Sequence, residues 1–175
     1  PASRFPSFSN RDRPMTRMRK IWVLPASIFI ALVLGLLPLP MVVQPLRPYW
    51  LALVLAYWVI EEPDRIGLGL AFVVGVLADL LYGGLLGEQA LRLVIMTFIL
   101  QRFRARMRFF PVSQQALAIG GLLLNDRIVS SAVHLAVGEP TLPWSYWWAP
   151  LLGMALWPPL FVVLDAVRLG KRSKK

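Results

Sequence analysis

Six apolar stretches, separated by short segments rich in arginine, proline and glycine, account for most of the chain. They cover approximately residues 21–37, 49–60, 66–82, 88–100, 112–137 and 147–167. A helix needs about 20 residues to cross the hydrocarbon core of a bilayer. With 57% hydrophobic and only 16% charged residues, the chain is too apolar for a soluble domain. The pattern therefore predicts an all-α integral membrane protein with a six-transmembrane-helix bundle.

The second stretch, 49–60, is shorter than a standard span and follows Pro45 and Pro48. A tilted helix, a start in the membrane interface, or partial burial within protein would each accommodate it. The first stretch meets Pro38 and Pro40, which are expected to break or kink its end.

Basic residues are concentrated in alternate connecting segments. Of the 19 lysines and arginines, six precede the first span, one lies at position 65, four lie between the fourth and fifth spans, and five end the chain, which makes 16 in total. The positive-inside rule therefore predicts a multi-pass membrane protein with both termini in the cytoplasm. The predicted cytoplasmic basic loop between the fourth and fifth spans suits a cytoplasmic partner or anionic lipid headgroups, and contains Arg102, Arg104, Arg106 and Arg108.

The chain divides into three predicted parts. Residues 1–20 form a disordered basic cytoplasmic tail or a remnant of cloning, 21–168 the six-helix membrane domain, and 169–175 a basic cytoplasmic C-terminal tail. The net charge of +10 does not indicate nucleic-acid binding, because no basic face is interleaved with aromatic side chains that could stack on bases.

Enzymatic chemistry is not indicated. The chain has no cysteine and a single histidine, His134, which argues against thiolate chemistry and against a multi-histidine metal site. It contains no phosphate-binding loop, zinc-protease motif or dinucleotide fingerprint. We therefore predict a non-enzymatic protein without catalytic residues, metal or cofactor.

Small residues recur at helical spacing in two spans. They are expected to lie along one face of each helix, where a second backbone can approach closely. Such a row predicts either packing within the chain or a docking surface for a partner helix. The candidates are Ser27, Ala31 and Gly35 in the first span, and Gly67, Ala71, Gly75, Asp79, Gly83 and Gly87 in the third.

The carboxylate of Asp79 lies in an otherwise apolar run. A charge within a membrane span costs several kcal/mol unless it is paired, protonated or close to the interface. We expect backbone N–H groups near Gly83 and Gly84, or the guanidinium of Arg92, to hold it. The simpler alternative is that Arg92 forms an i,i+4 ion pair with Glu88 on its own helix.

Asp126, Ser130 and His134 follow one another at intervals of four in the fifth span. Three residues stacked along one helix do not converge as a catalytic triad must. The spacing favours a polar stripe that faces the bundle interior, with Arg92 or Arg127 as its counter-ion. A proton relay through Asp126 and His134 is the alternative.

Several short motifs, spread over residues 21–168, together resemble the MreD family of rod shape-determining membrane proteins. They are Arg47-Pro-Tyr-Trp50, Ala56-Tyr-Trp58, Pro63-Asp-Arg65, Phe72-Val-Val-Gly75, Asp79-Leu, Gly83, Leu86-Gly87, Gln114-Gln-Ala-Leu117 and Trp157-Pro158.

This resemblance implies a non-enzymatic subunit of the bacterial cell-elongation machinery. Its implied partners are the bitopic protein MreC and, in one assembly, RodA, a class-B penicillin-binding protein and MreB; self-association is a further prediction. The family is similar in fold to the substrate-binding subunits of energy-coupling-factor transporters. The alternative function is therefore a small-molecule, vitamin-like binding subunit of such a transporter.

Overall fold

The computed structural model of the chain describes residues 14–38, 47–138 and 144–169, with side chains described from Trp22 to Arg168. These ranges contain six α-helices, one short 3-10 helix and no strand, so the predicted all-α class is confirmed for them. The elements are α1 (Pro14–Leu36), α2 (Trp50–Glu61), α3 (Leu68–Tyr82), α4 (Glu88–Met107), α5 (Val112–Val137), the 3-10 helix (Trp144–Trp148) and α6 (Ala149–Leu169). The predictions for residues 1–13 and 170–175 lie outside the described residues.

Two helix boundaries differ from the predicted ones by more than two residues. The first helix begins at Pro14, within the segment predicted to be a disordered tail. Proline suits the first position of a helix, because its φ is already helical and its missing N–H is not needed there. Helix α4 continues to Met107, so the predicted basic loop is the end of a helix. Arginine is a good helix former, and cations near a helix C-terminus interact favourably with its dipole.

Consecutive helices run antiparallel, which gives the bundle two distinct ends. At one end the Gln101 side chain donates to the Ile66 carbonyl at 2.8 Å, and Gln115 donates to the Met107 carbonyl at 3.2 Å. We call this the basic end, because the four arginines of residues 102–108 lie there. The opposite end, where α2 and α4 begin, is the far end.

Helix α2 occupies the centre of the bundle. Its ten consecutive residues 51–60 are all buried, and it packs against α1, α4, α5 and α6. A helix of 12 residues extends only about 18 Å, which is less than the thickness of a bilayer core. Since protein surrounds it, α2 needs no contact with lipid. Burial within protein, one of the three predicted accommodations, is therefore confirmed.

The outside of the bundle is apolar. Phe29, Phe98, Leu117 and Val162 are among many large apolar side chains that are exposed, whereas soluble proteins rarely expose large apolar patches. Within the described ranges, Val112–Val137 and Trp144–Arg168 are long and apolar enough to cross a membrane, and three shorter helices are also apolar. Apolar side chains outside and charged ones inside are the arrangement expected of a bundle in lipid.

Candidate functional site

A buried ionic network joins α4 to α5. The Arg92 guanidinium donates to both carboxylate oxygens of Asp126, from Nε at 2.8 Å and from Nη2 at 2.5 Å. Its Nη1 donates to Oε1 of Glu88 at 3.2 Å. Arg92, Asp126 and Glu88 are only 6%, 2% and 9% exposed. Because a two-pronged guanidinium–carboxylate pair fixes both distance and orientation, this network sets the register of the two helices.

Glu88 extends this network along α5. It accepts a hydrogen bond from the Ser130 hydroxyl at 2.7 Å, and its Oε2 lies 3.6 Å from Nε2 of His134. The geometry agrees with a polar stripe that faces the bundle interior, with Arg92 as the counter-ion of Asp126. It does not form a triad, because Asp126 is held by Arg92 and lies about 12 Å along the helix from His134.

Asp79 caps the first turn of α4 from the neighbouring helix. Its carboxylate oxygens accept hydrogen bonds from the backbone N–H groups of Gly87 at 2.9 Å, Gln89 at 2.8 Å and Ala90 at 3.4 Å. The first N–H groups of a helix have no partner within it, and the helix dipole favours a negative charge there. Gly87 precedes α4 and has no side chain to act as a cap, so Asp79 supplies one. Backbone groups hold this carboxylate, as expected, but they belong to residues 87–90 and not to 83–84.

The row of small residues on α3 packs within the chain. Ala71, Gly75 and Asp79 are buried, and a Cβ added to Gly75 would lie 2.3 Å from the Cα of Ala90 on α4. The remaining members, Gly67, Gly83 and Gly87, lie at helix ends. Gly83 and Gly87 adopt φ values of 67° and 96°, which glycine tolerates best. Of the two explanations for this row, close packing of α3 and α4 is the one that the structure supports.

The shorter row on α1 is also internal. Ser27 and Ala31 are buried, and the Ser27 hydroxyl accepts a hydrogen bond from Nε1 of Trp58 at 2.8 Å. A Cβ on Gly35 would overlap the Tyr82 hydroxyl on α3. The buried members of the two rows therefore pack within the chain, and Ser27 and Ala31 also form part of the wall of an open groove.

Two of the cavities among the described residues differ sharply in chemistry. One is an apolar groove of about 620 Å³ between α1, α2 and α6, whose lining includes Trp22, Ala26, Val54 and Val163. The other is a polar cavity of about 420 Å³ at the far end. Arg127, predicted as an embedded charge, lines this cavity, with its guanidinium carbon 5.9 Å from the centre of the Tyr146 ring.

Sequence reasoning missed the central position of Glu88, which was expected only as an i,i+4 partner of Arg92. The available signal was the position of this carboxylate, which is the first residue of an otherwise apolar stretch. It also missed the ion pair between Glu61 and Arg168 at the basic end. Among the described residues, no group of three potential metal ligands occurs.

Comparison with known proteins adds to this geometry. The family model described as rod shape-determining protein MreD matches residues 16–167. The rod shape-determining protein MreD of Haemophilus influenzae is 30% identical over 154 residues, which cover 87% of this chain and 95% of that protein. No solved structure matches the chain, so the similarity to energy-coupling-factor subunits stays a prediction.

Proposed function

The chain belongs to the MreD family of rod shape-determining proteins, and from this premise we propose that it is a non-enzymatic, multi-pass subunit of the cell-elongation machinery in the inner membrane. It binds MreC and helps to control lateral peptidoglycan synthesis, in an assembly with RodA, a class-B penicillin-binding protein and MreB. The match to the family over residues 16–167 carries this proposal. The pairing of Arg92 with Asp126 and Glu88 supports a structural use of the buried charges.

Both termini lie in the cytoplasm in this proposal. A phosphatase reporter that is active only in the periplasm is expected to be inactive when fused after Lys175, because the positive-inside rule places the basic end in the cytoplasm. The matched control is the same reporter fused after Gly138, at the far end, where it should be active. Strong phosphatase activity after Lys175 would rule out the six-span arrangement.

The apolar groove supports MreC binding. In lipid, helices associate through close van der Waals contact and small residues, and the groove offers Ala26 and Ala31 between the larger side chains of α1 and α6. We place a single apolar membrane helix of MreC in it. The row on α3 is not needed for this interaction, since its buried members pack against α4, whereas Ser27 and Ala31 of the α1 row line the groove.

Filling this groove is expected to weaken MreC binding. Val163 lines the groove and is 60% exposed, whereas Val73 on α3 is 57% exposed and lies outside it. Val163→Trp should reduce co-purification of MreC by about tenfold, which corresponds to about 1.4 kcal/mol of lost contact, while Val73→Trp should retain it. Equal retention of MreC by the two variants, at equal protein levels, would exclude the groove as the docking surface.

The basic end supports contact with anionic lipid headgroups or with a cytoplasmic partner. Arg102 and Arg106 are exposed at the end of α4, and Arg108 follows the helix. Each arginine near an anionic membrane surface contributes about 1 kcal/mol. Native mass spectrometry of the gently solubilised assembly would measure the number of copies of this chain, its protein partners and its retained lipids together.

A further inference from the structure

The far-end cavity differs in chemistry from the rest of the bundle. It lies where α1 and α3 end and where α2 and α4 begin, and Tyr146 of the 3-10 helix also contributes to its wall. Its volume of about 420 Å³ is within the range of small-molecule sites. Tyrosine and arginine side chains line much of it.

The charged residues that line the cavity are all basic. Arg47, Arg92 and Arg127 line the cavity, and no acidic residue is among its described lining residues. Arg92 is neutralised by Asp126 and Glu88 behind the wall. Arg47 makes a long 3.5 Å contact with the Leu34 carbonyl, and Arg127 lies near the Tyr146 ring. In the ranges that the structure describes, neither Arg47 nor Arg127 forms an ion pair with a carboxylate.

Two such guanidiniums facing one cavity indicate a ligand of opposite charge. Removing a guanidinium from water is costly unless an anion or hydrogen-bond acceptors replace the lost hydration. A guanidinium presents a planar fork of N–H donors that matches the oxygens of a phosphate. A phosphate ester has enough oxygens to accept hydrogen bonds from two guanidiniums at once.

We propose that the far-end cavity binds a phosphate ester through Arg47 and Arg127. The phosphate can belong to a lipid headgroup that enters from the bilayer or to a soluble molecule that enters from the water at that face. This binding is independent of MreC and goes beyond the proposed function in cell elongation.

The test uses the full chain in dodecyl maltoside micelles, because this detergent contains no phosphate. One arm measures binding of dioleoyl phosphatidylglycerol by native mass spectrometry. The second arm measures binding of glycerol 1-phosphate by calorimetry. We expect at least one of the two probes to bind. Arg47→Gln and Arg127→Gln are each expected to raise the Kd of that probe at its tightest site by about tenfold or more, because each removes a charge-assisted hydrogen bond.

Arg65→Gln is the matched control, because it removes an exposed arginine at the opposite end, outside the cavity, and should leave the tightest binding unchanged. Binding of phosphatidylglycerol alone assigns the site to a lipid, and binding of glycerol 1-phosphate alone assigns it to a soluble ligand. If Arg127→Gln protein does not accumulate, Arg47→Gln decides, because the hydrogen bond that the described residues give this side chain is a long one, at 3.5 Å. Binding of neither probe, or equal affinity in the Arg47→Gln and Arg65→Gln proteins, overturns the proposal.

Discussion

Asp126→Asn is expected to destabilise the folded protein by about 3 kcal/mol, because it leaves the buried Arg92 guanidinium without its two-pronged carboxylate partner. Asparagine has nearly the same volume, so the loss is one of charge and not of packing. Since proteins are stable by only about 5–15 kcal/mol, this is a large fraction of the total. The amount of protein in the membrane and the thermal unfolding midpoint after purification both measure it.

The matched control for this variant is Asp64→Asn, which makes the same chemical change at an exposed position of the segment between α2 and α3. It should alter the stability by less than about 1 kcal/mol, as exposed charges usually do. Equal unfolding midpoints for the two variants would show that the pair between Arg92 and Asp126 contributes little to the stability of the bundle.

Gly75→Leu is expected to separate α3 from α4 and to destabilise the protein by about 3 kcal/mol, the upper end of the usual cost of overpacking. The added Cβ would meet backbone atoms of Ala90, with 2.3 Å to its Cα and 2.6 Å to its N. Backbone atoms cannot move aside by a rotamer change, so the helices must shift. The shift would also pull the Asp79 carboxylate away from the first turn of α4. The unfolding midpoint and the membrane level of the variant measure the effect.

Gly69→Leu is the control on the same helix, because a Cβ there meets nothing within 4 Å. It should fold with a nearly unchanged midpoint. The comparison also separates the two functions considered for the small-residue row. A Gly75→Leu protein that folded normally and lost only MreC would make this row a partner surface, contrary to its internal packing in the structure.

Much of the architecture could be predicted from local features of the sequence. The length of each apolar stretch and the prolines and glycines between them predict the helices, because these features act within a few residues. Helix α1 ends at Leu36, just before the prolines that were expected to stop it. The end of α4 was missed because a run of arginines was interpreted as a loop, although arginine favours helices.

The candidate site could be predicted only in part. A carboxylate at position 79 must have a partner, and a polar stripe on α5 must face inward, and both follow from the cost of charge in an apolar environment. The identity of the partners could not be predicted, because Arg92 and Asp126 are 34 positions apart, and Glu88 and Ser130 are 42 apart. Only the antiparallel packing of α4 and α5 brings them within hydrogen-bond distance.

The six apolar stretches and the composition were enough to indicate a helical protein whose surroundings are lipid and whose charges need partners. The central position of α2 and the internal packing of the small-residue rows emerged only from the packed helices. The physical reason is that lipid tails are as apolar as a protein interior. An apolar side chain on α2 therefore has the same character whether it contacts lipid or another helix, and sequence patterning alone does not distinguish the two.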